Sequence, residues 1–468
     1  MKADRVRFIP DSRTPTKRQL YCFVCVIMSV MVTGCGGYMA KTDGLRKALG
    51  SSATNDALAE ANKALGVDRA DALPKKPDAD TPLLLVERAT ILQALGRYKE
   101  SSRDFQIADK RLDVLDLTKD TAGELAKYLF SDDATVYKAA PYEKLLLNTV
   151  NMINYLARGE ASGAMVEARR FLVNRRYLER ITDKRAKSML ALGSYLCGIA
   201  FEMGGEPNQA IRHYGDALDA GGVPVLADTA RSLVLRKGVQ DSRLNELLTK
   251  QTNAPTPDTG YVVVVMQAGM TPYKIPERLP IGAAIVSSSN PNQRGALSPA
   301  DQRRAQRFAL KGVLKWVNYP KLVRGISRDT RVSAEVGNRP LMAGVAFDTG
   351  IAAKSHHDEY KGGMIAAAVV RLLTRAIAGG IGEAAGKKLT NNGIAGLLIG
   401  LAVEGAMTAA DTPDTRSWVT LPRRFWLAHG ALAAGEHLVR VRVGNQTRTR
   451  QLIIKPGKIT VINVSDIR

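Results

Sequence analysis

"YLCGIAFEMGGEPNQAIRHYGDALDAGG", residues 195–222, decides the reading of the first half of the chain. Gly198, Gly205, Ala210 and Ala217 recur at helical intervals with Phe201 and Tyr214 between them. Small residues let two helices approach closely, and the aromatic rings fill the space left toward the next pair. Pro207 opens the second helix, where a missing N–H costs nothing. Cys197 has apolar neighbours in the same pattern and reads as a small core residue.

These offsets match the tetratricopeptide pattern. A weaker copy, "LLLVERATILQALGRYKESSRDFQIADKRL", places Gly96, Tyr98, Phe105 and Ala108 correspondingly, and a third has Tyr155, Gly159, Ala164 and Ala168. The turn glycines are 63 and 46 residues apart, against a regular period of about 34. The expectation is an irregular stack of helical hairpins over 81–250. Such stacks present a surface to a peptide or protein partner.

Outward from there the pattern changes. "QTNAPTPDTG", 251–260, reads as a linker, and "YVVVVMQ" behind it is a strong strand signal. "WVNYPKLV" and "RVSAEVG" continue the extended character. "HLVRVRVG", "TRTRQLII" and "ITVINV" form an expected C-terminal meander with one buried face and one basic, wet face. Within 261–468, residues 362–410 read as an inserted Ala/Gly-rich helical hairpin turning near "TNNG", with Gly396 and Gly400 permitting close helix approach. Arg371, Arg375, Glu383 and Glu404 argue against membrane spans there. The fold class expected is α+β and multidomain, with an N-terminal helical hairpin stack and a C-terminal β-rich domain.

The beginning of the chain speaks to location. Residues 1–19 are basic, Leu20 to Val32 are mostly apolar, and Val32-Thr33-Gly34-Cys35 has the form of a bacterial lipobox. The apolar run is short for a membrane span and suits a secretory signal. Residues 1–34 are thus expected to be a signal peptide, with Cys35 as the lipidation site and 35–80 as tether and linker. Gly36 follows the cysteine, which favours the outer membrane of a Gram-negative envelope. Loss of Cys22 and Cys25 with the signal leaves Cys197 alone, so no internal disulfide is expected.

The whole chain carries a net charge of +22; six basic and two acidic residues in 1–34 leave +18 for the remainder. The basic residues are spread out, and their densest run, Arg303 to Arg328, begins with helical spacing. A solvated basic face is the reading, and no nucleic-acid partner is expected of an exported chain. "SHHDEY" sets His356 and His357 beside Asp358 and Glu359, but adjacent side chains diverge and chelate poorly. His213 is expected at a helix surface, and His429 and His437 beside a turn. "IGEAAGKKLT" fails as a phosphate loop, since Ile381 stands where glycine is needed and Lys388 where a hydroxyl is needed. No G-x-S-x-G elbow occurs. Neither a metal nor a cofactor is expected.

Several phrases together carry a resemblance: Tyr142-Glu143, "NYLARGE" from Asn154, "AMVEARR" from Ala164, "DTRSWVTLP" from Asp414 to Pro422, and "LAAGEH". The set resembles uncharacterised proteobacterial outer-membrane lipoproteins with tetratricopeptide-like repeats. The resemblance implies an envelope lipoprotein and no particular activity. Physically, Asp414 can order the turn at Thr415 and Arg416, and Trp418 can anchor it in the core. A recognition loop built on Asp414, Arg416 and Trp418 is the competing reading. Together these readings predict a lipid-anchored periplasmic scaffold, with an enzyme acting on peptidoglycan or glycan, or a membrane-associating assembly factor, as alternatives.

Overall fold

A computed structural model describes residues 38–51, 53–114, 137–181, 187–249, 256–291, 295–325, 330–378 and 413–467. Cys35, residues 251–255 of the expected linker and residues 379–410 of the expected helical hairpin lie outside them. The chain folds as a mixed α+β protein.

The stretch expected as a tether is helical instead. After a short turn of helix at Tyr38–Lys41 come α1 (Asp43–Gly50) and α2 (Thr54–Ala64). Tyr38, Leu45, Leu49, Ala57, Ala61 and Leu65 are buried in the main core. The apolar residues in this segment fall at three- and four-residue intervals, which gives each short helix one face to bury.

Three helix pairs follow: α3 (Thr81–Ala94) with α4 (Tyr98–Asp109), α5 (Pro141–Ala157) with α6 (Ala161–Ile181), and α7 (Lys187–Met203) with α8 (Pro207–Asp219). α9 (Leu226–Lys237) packs against α8. The small-against-aromatic logic holds at the contacts. A Cβ on Gly198 would lie 2.2 Å from Tyr214, and one on Gly193 would lie 2.1 Å from Phe171. Substitution at either glycine would force a helix out of place. α3 is buried on every side from Thr81 to Gln93, because α2, α4 and the sheet all press on it. Arg88 within it, fully buried, holds the Asp104 carboxylate with two nitrogens and reaches Asn62 and the Ala72 carbonyl.

Apart from a short parallel pair, Asp113–Val114 with Lys138–Ala139, the described strands form two four-stranded sheets and a hairpin. β1 (Thr259–Met270) leads into the hairpin of β2 (Tyr273–Pro280) and β3 (Trp316–Val323), which encloses α10 (Ile281–Ser288) and α11 (Pro299–Leu310). Then come β4 (Val332–Val336), β5 (Arg339–Leu341), β6 (Ala343–Asp348) and the long α12 (Thr349–Ala378). The last strands are β7 (Pro422–Ala433), β8 (Gly435–Val443), β9 (Gln446–Ile454) and β10 (Ile459–Asp466). One sheet runs β10-β1-β7-β6 and the other β9-β8-β4-β5.

Two expectations are corrected here. The C-terminal meander stops after β9: β10 crosses to the other sheet and pairs parallel with β1, Ile459 opposite Tyr261. Its residues Val461 and Ile462 are both buried although they point to opposite faces, so this strand suits a covered position better than a wet one. The inserted helix begins at Thr349, well before 362, where Asp348 accepts the amide of Ile351 at 3.1 Å.

β1 explains how the layers join. Val262, Val264 and Met266 face the second sheet, together with Val439, Val441, Val443 and Trp426. Val263 and Val265 face the helices and belong to the same core as Leu92, Leu146 and Phe105. Four valines in a row are what a strand buried on both faces needs. Gly260 admits a close crossing, since a Cβ there would meet the Lys455 carbonyl at 2.4 Å.

A polar chain crosses the same boundary. Gln267 donates to Gln93 at 2.9 Å and to Asn463 at 2.7 Å; Gln93 donates to the Val150 carbonyl and to Asn154; Asn154 donates to Ser101. These buried amides fix the register of strands against helices, because a slipped arrangement would leave them unpaired.

Candidate functional site

The segment Asp414 to Thr420 enters the interior without regular secondary structure, so its backbone amides need acceptors. Two helix carboxylates supply them. Glu87 of α3 accepts the amides of Val419 and Thr420, each at 2.8 Å, and the Tyr38 hydroxyl at 2.7 Å. Glu143 of α5 accepts the Trp418 amide at 2.9 Å, the Ala140 amide at 3.0 Å and the Tyr137 hydroxyl. The Trp418 indole donates to Thr90 at 3.0 Å and meets Phe105 edge-on. Burial raises Glu87 above the usual carboxylate range despite those hydrogen bonds. Burial, with the adjacent carboxylates, holds Tyr38 and Tyr137 far above the ordinary phenol value, so both remain donors.

Of the three residues of the expected loop, Trp418 is only 2% exposed. Arg416 lies over the Tyr137 ring and grips the Asp414 carboxylate in a fork, with Asp80 at 3.6 Å beyond it. All three side chains are turned inward and engaged with the protein itself, an arrangement that locks the loop into the helical stack.

A surface groove of about 580 Å³ lies elsewhere, between α6 and α8. Arg169, Leu172, Arg175 and Arg176 line it from one helix, and Gln209, His213 and Asp216 from the other, with the exposed carboxylate of Glu206 at the start of α8. Phe201 forms its floor, stacked on His213 at 5.1 Å with the Arg169 guanidinium 5.9 Å above the ring. Asp216 is held by Arg175, Arg243 and His213, which keep its carboxyl far below the usual range against the opposing effect of burial. Arg169 and Arg176 are exposed and have no ion-pair partner among the described residues. A second hollow of about 410 Å³ shares Arg169 and is lined also by Lys110, Arg170 and the paired Lys144 and Asp109.

His213 is therefore buried rather than at the surface, because the Phe201 ring covers it. His429 lies inside β7, opposite Val263, not beside the turn. His357 contacts the Pro320 carbonyl at 3.1 Å, and His356 packs between Tyr142 and Tyr360. The two rings face different partners, and among the described residues no three His, Cys, Asp or Glu side chains gather as metal ligands. Cys197 is buried.

Sequence reasoning missed Glu87 as an organising residue. The available signal was a Glu-Arg pair inside "LLLVERATIL", charges in a stretch too apolar to be a wet face. Compared with known proteins, the chain matches no family model, no curated protein and no solved structure.

Two outcomes are expected. Glu87→Gln keeps one acceptor and turns an amide toward a backbone N–H, so it should destabilise by about 2–4 kcal/mol in chemical denaturation; a loss under about 0.5 kcal/mol would mean the carboxylate is not the acceptor. Burial pushes His356 down to about 3, below its unfolded value, so the folded protein keeps the ring neutral while the unfolded chain takes up a proton. Stability is then lost as pH falls from about 6.5 toward the folded value, by about 2 kcal/mol at pH 5. His356→Asn should flatten the melting temperature between pH 7 and pH 5; an unchanged slope would refute the assignment.

Proposed function

We propose that the protein is a lipid-anchored adaptor on the periplasmic side of the outer membrane, binding an acidic segment of an envelope protein in the α6–α8 groove. The observation that carries the binding role is the pair of exposed guanidinium groups, Arg169 and Arg176, above an aromatic floor. A groove with exposed guanidinium groups beside a flat ring suits an extended peptide with carboxylate side chains, since guanidinium binds carboxylate in a fork. The three helix pairs act here as tetratricopeptide-like hairpins.

Attachment rests on the Cys35 motif. Tyr38 is docked in the core, so an acylated Cys35 would have three residues of reach, about 10 Å of chain. The body would then sit directly against the membrane surface rather than hang from a long tether. The groove needs no chemistry beyond charge and shape, which favours an adaptor over an enzyme.

A photo-crosslinking residue in place of Gln209 is expected to trap one discrete protein in living cells, and Arg169→Glu with Arg176→Glu should reduce that adduct at least tenfold without changing the melting temperature. An adduct indifferent to both reversals would reject the groove. Radiolabelled palmitate should enter the native chain and not Cys35→Ala, with the label in outer-membrane fractions. Absence of label from the native chain would remove the anchor while leaving the groove open.

A further inference from the structure

The hairpin of β2 and β3, with α10, α11 and much of α12, forms a lobe with its own apolar core of Ile285, Leu314, Val317, Tyr360 and Leu372 among others. Its base lies beside the N-terminal helices, where Arg46 sits over the Tyr273 ring at 5.5 Å. From that base the strands run outward to Pro280 and Trp316, which face each other at the far end. Seven residue steps of about 3.3 Å each place that end roughly 23 Å from the base.

The outer end is unusual in what it exposes. Leu310, the last residue of α11, is 89% exposed, and Trp316 is 42% exposed. The turn between them is tight, with the Gly312 amide on the Ala309 carbonyl and the Val313 amide on the Phe308 carbonyl, so the two side chains belong to one short apex. Arg303, Arg307 and Leu310 follow one another along α11 at helical spacing, and Lys311 and Lys315 occupy the turn itself. The acidic Asp301 of this helix lies in its first turn and is paired with Arg304.

We propose that this apex is a contact site for an anionic phospholipid surface. Cations close to such a surface are drawn to its negative potential. Trp favours the headgroup level of a bilayer, where its ring is half apolar and half wet. An exposed leucine between arginines and lysines is costly in water and favourable at that boundary. Leu310 and Trp316 enter the interface while Arg303, Arg307 and Lys311 meet phosphate. The site is independent of the α6–α8 groove and of acylation at Cys35.

The chain's three tryptophans make the test direct, because Trp418 and Trp426 are 2% and 6% exposed and out of reach of lipid. The full chain is mixed with vesicles of phosphatidylcholine carrying about 30% phosphatidylglycerol with brominated acyl chains. Tryptophan emission should be quenched and shifted to the blue. The effect should vanish in Trp316→Phe, fall at least fivefold with Arg303→Glu, Arg307→Glu and Lys311→Glu together, and be absent on pure phosphatidylcholine. Circular dichroism of each variant confirms folding. Vesicle-bound protein with unquenched Trp316 would overturn the proposal, as would quenching equal on charged and neutral vesicles. A Trp316 response to polyglutamate but not to vesicles would reassign the apex to an acidic protein.

Discussion

Three consecutive backbone amides, at Trp418, Val419 and Thr420, lie in the interior outside any sheet, and the molecule is arranged around giving them acceptors. A buried amide left unpaired costs about 1–3 kcal/mol. Here the acceptors are the carboxylates of Glu87 and Glu143, on two different helices. Each carboxylate has a second obligation, to the phenols of Tyr38 and Tyr137. The junction therefore fastens four segments that are far apart in sequence: the Tyr38–Lys41 turn of helix, α3, the start of α5 and the entry to β7.

With that junction in place the remaining geometry follows. β7 begins at Pro422, directly after the fastened segment, and pairs with β1 along almost its whole length. β1 is then pressed between the second sheet and the helices, with valines on both sides. The Gln267–Gln93–Asn154 chain fixes the register of strands against helices. Helices and strands thus share one core, and the α6–α8 groove is displayed on a rigid support.

Much of this was legible from residue types. The hairpin at 195–222 could be read because glycine, alanine and aromatic residues alternate at a helical period, and Gly198 does carry the Tyr214 ring across the contact. The strand at Val262 to Val265 could be read from β-branched residues in a row. Where the reading failed, the deciding contact was long-range. The helices of 38–64 looked like a tether because each is short and its apolar stripe is modest; their burial depends on α3. β10 looked like a third meander strand because the Lys455–Lys458 turn is local, whereas its true partner is β1, some two hundred residues away. The Asp414–Arg416 fork was foreseeable as a turn, but Glu87 as the acceptor was not, since nothing local links residue 87 to residue 419.

The measurement that tests the central claim most directly is native-state hydrogen exchange on the full chain, followed by mass spectrometry across increasing denaturant. If the two carboxylates weld helices and sheets into one cooperative unit, the amides of 418–420, the centre of β1 and the middle of α3 should exchange through a common opening with the same free energy. Exchange of α3 through a separate, lower-energy opening that leaves β1 and β7 protected would contradict it.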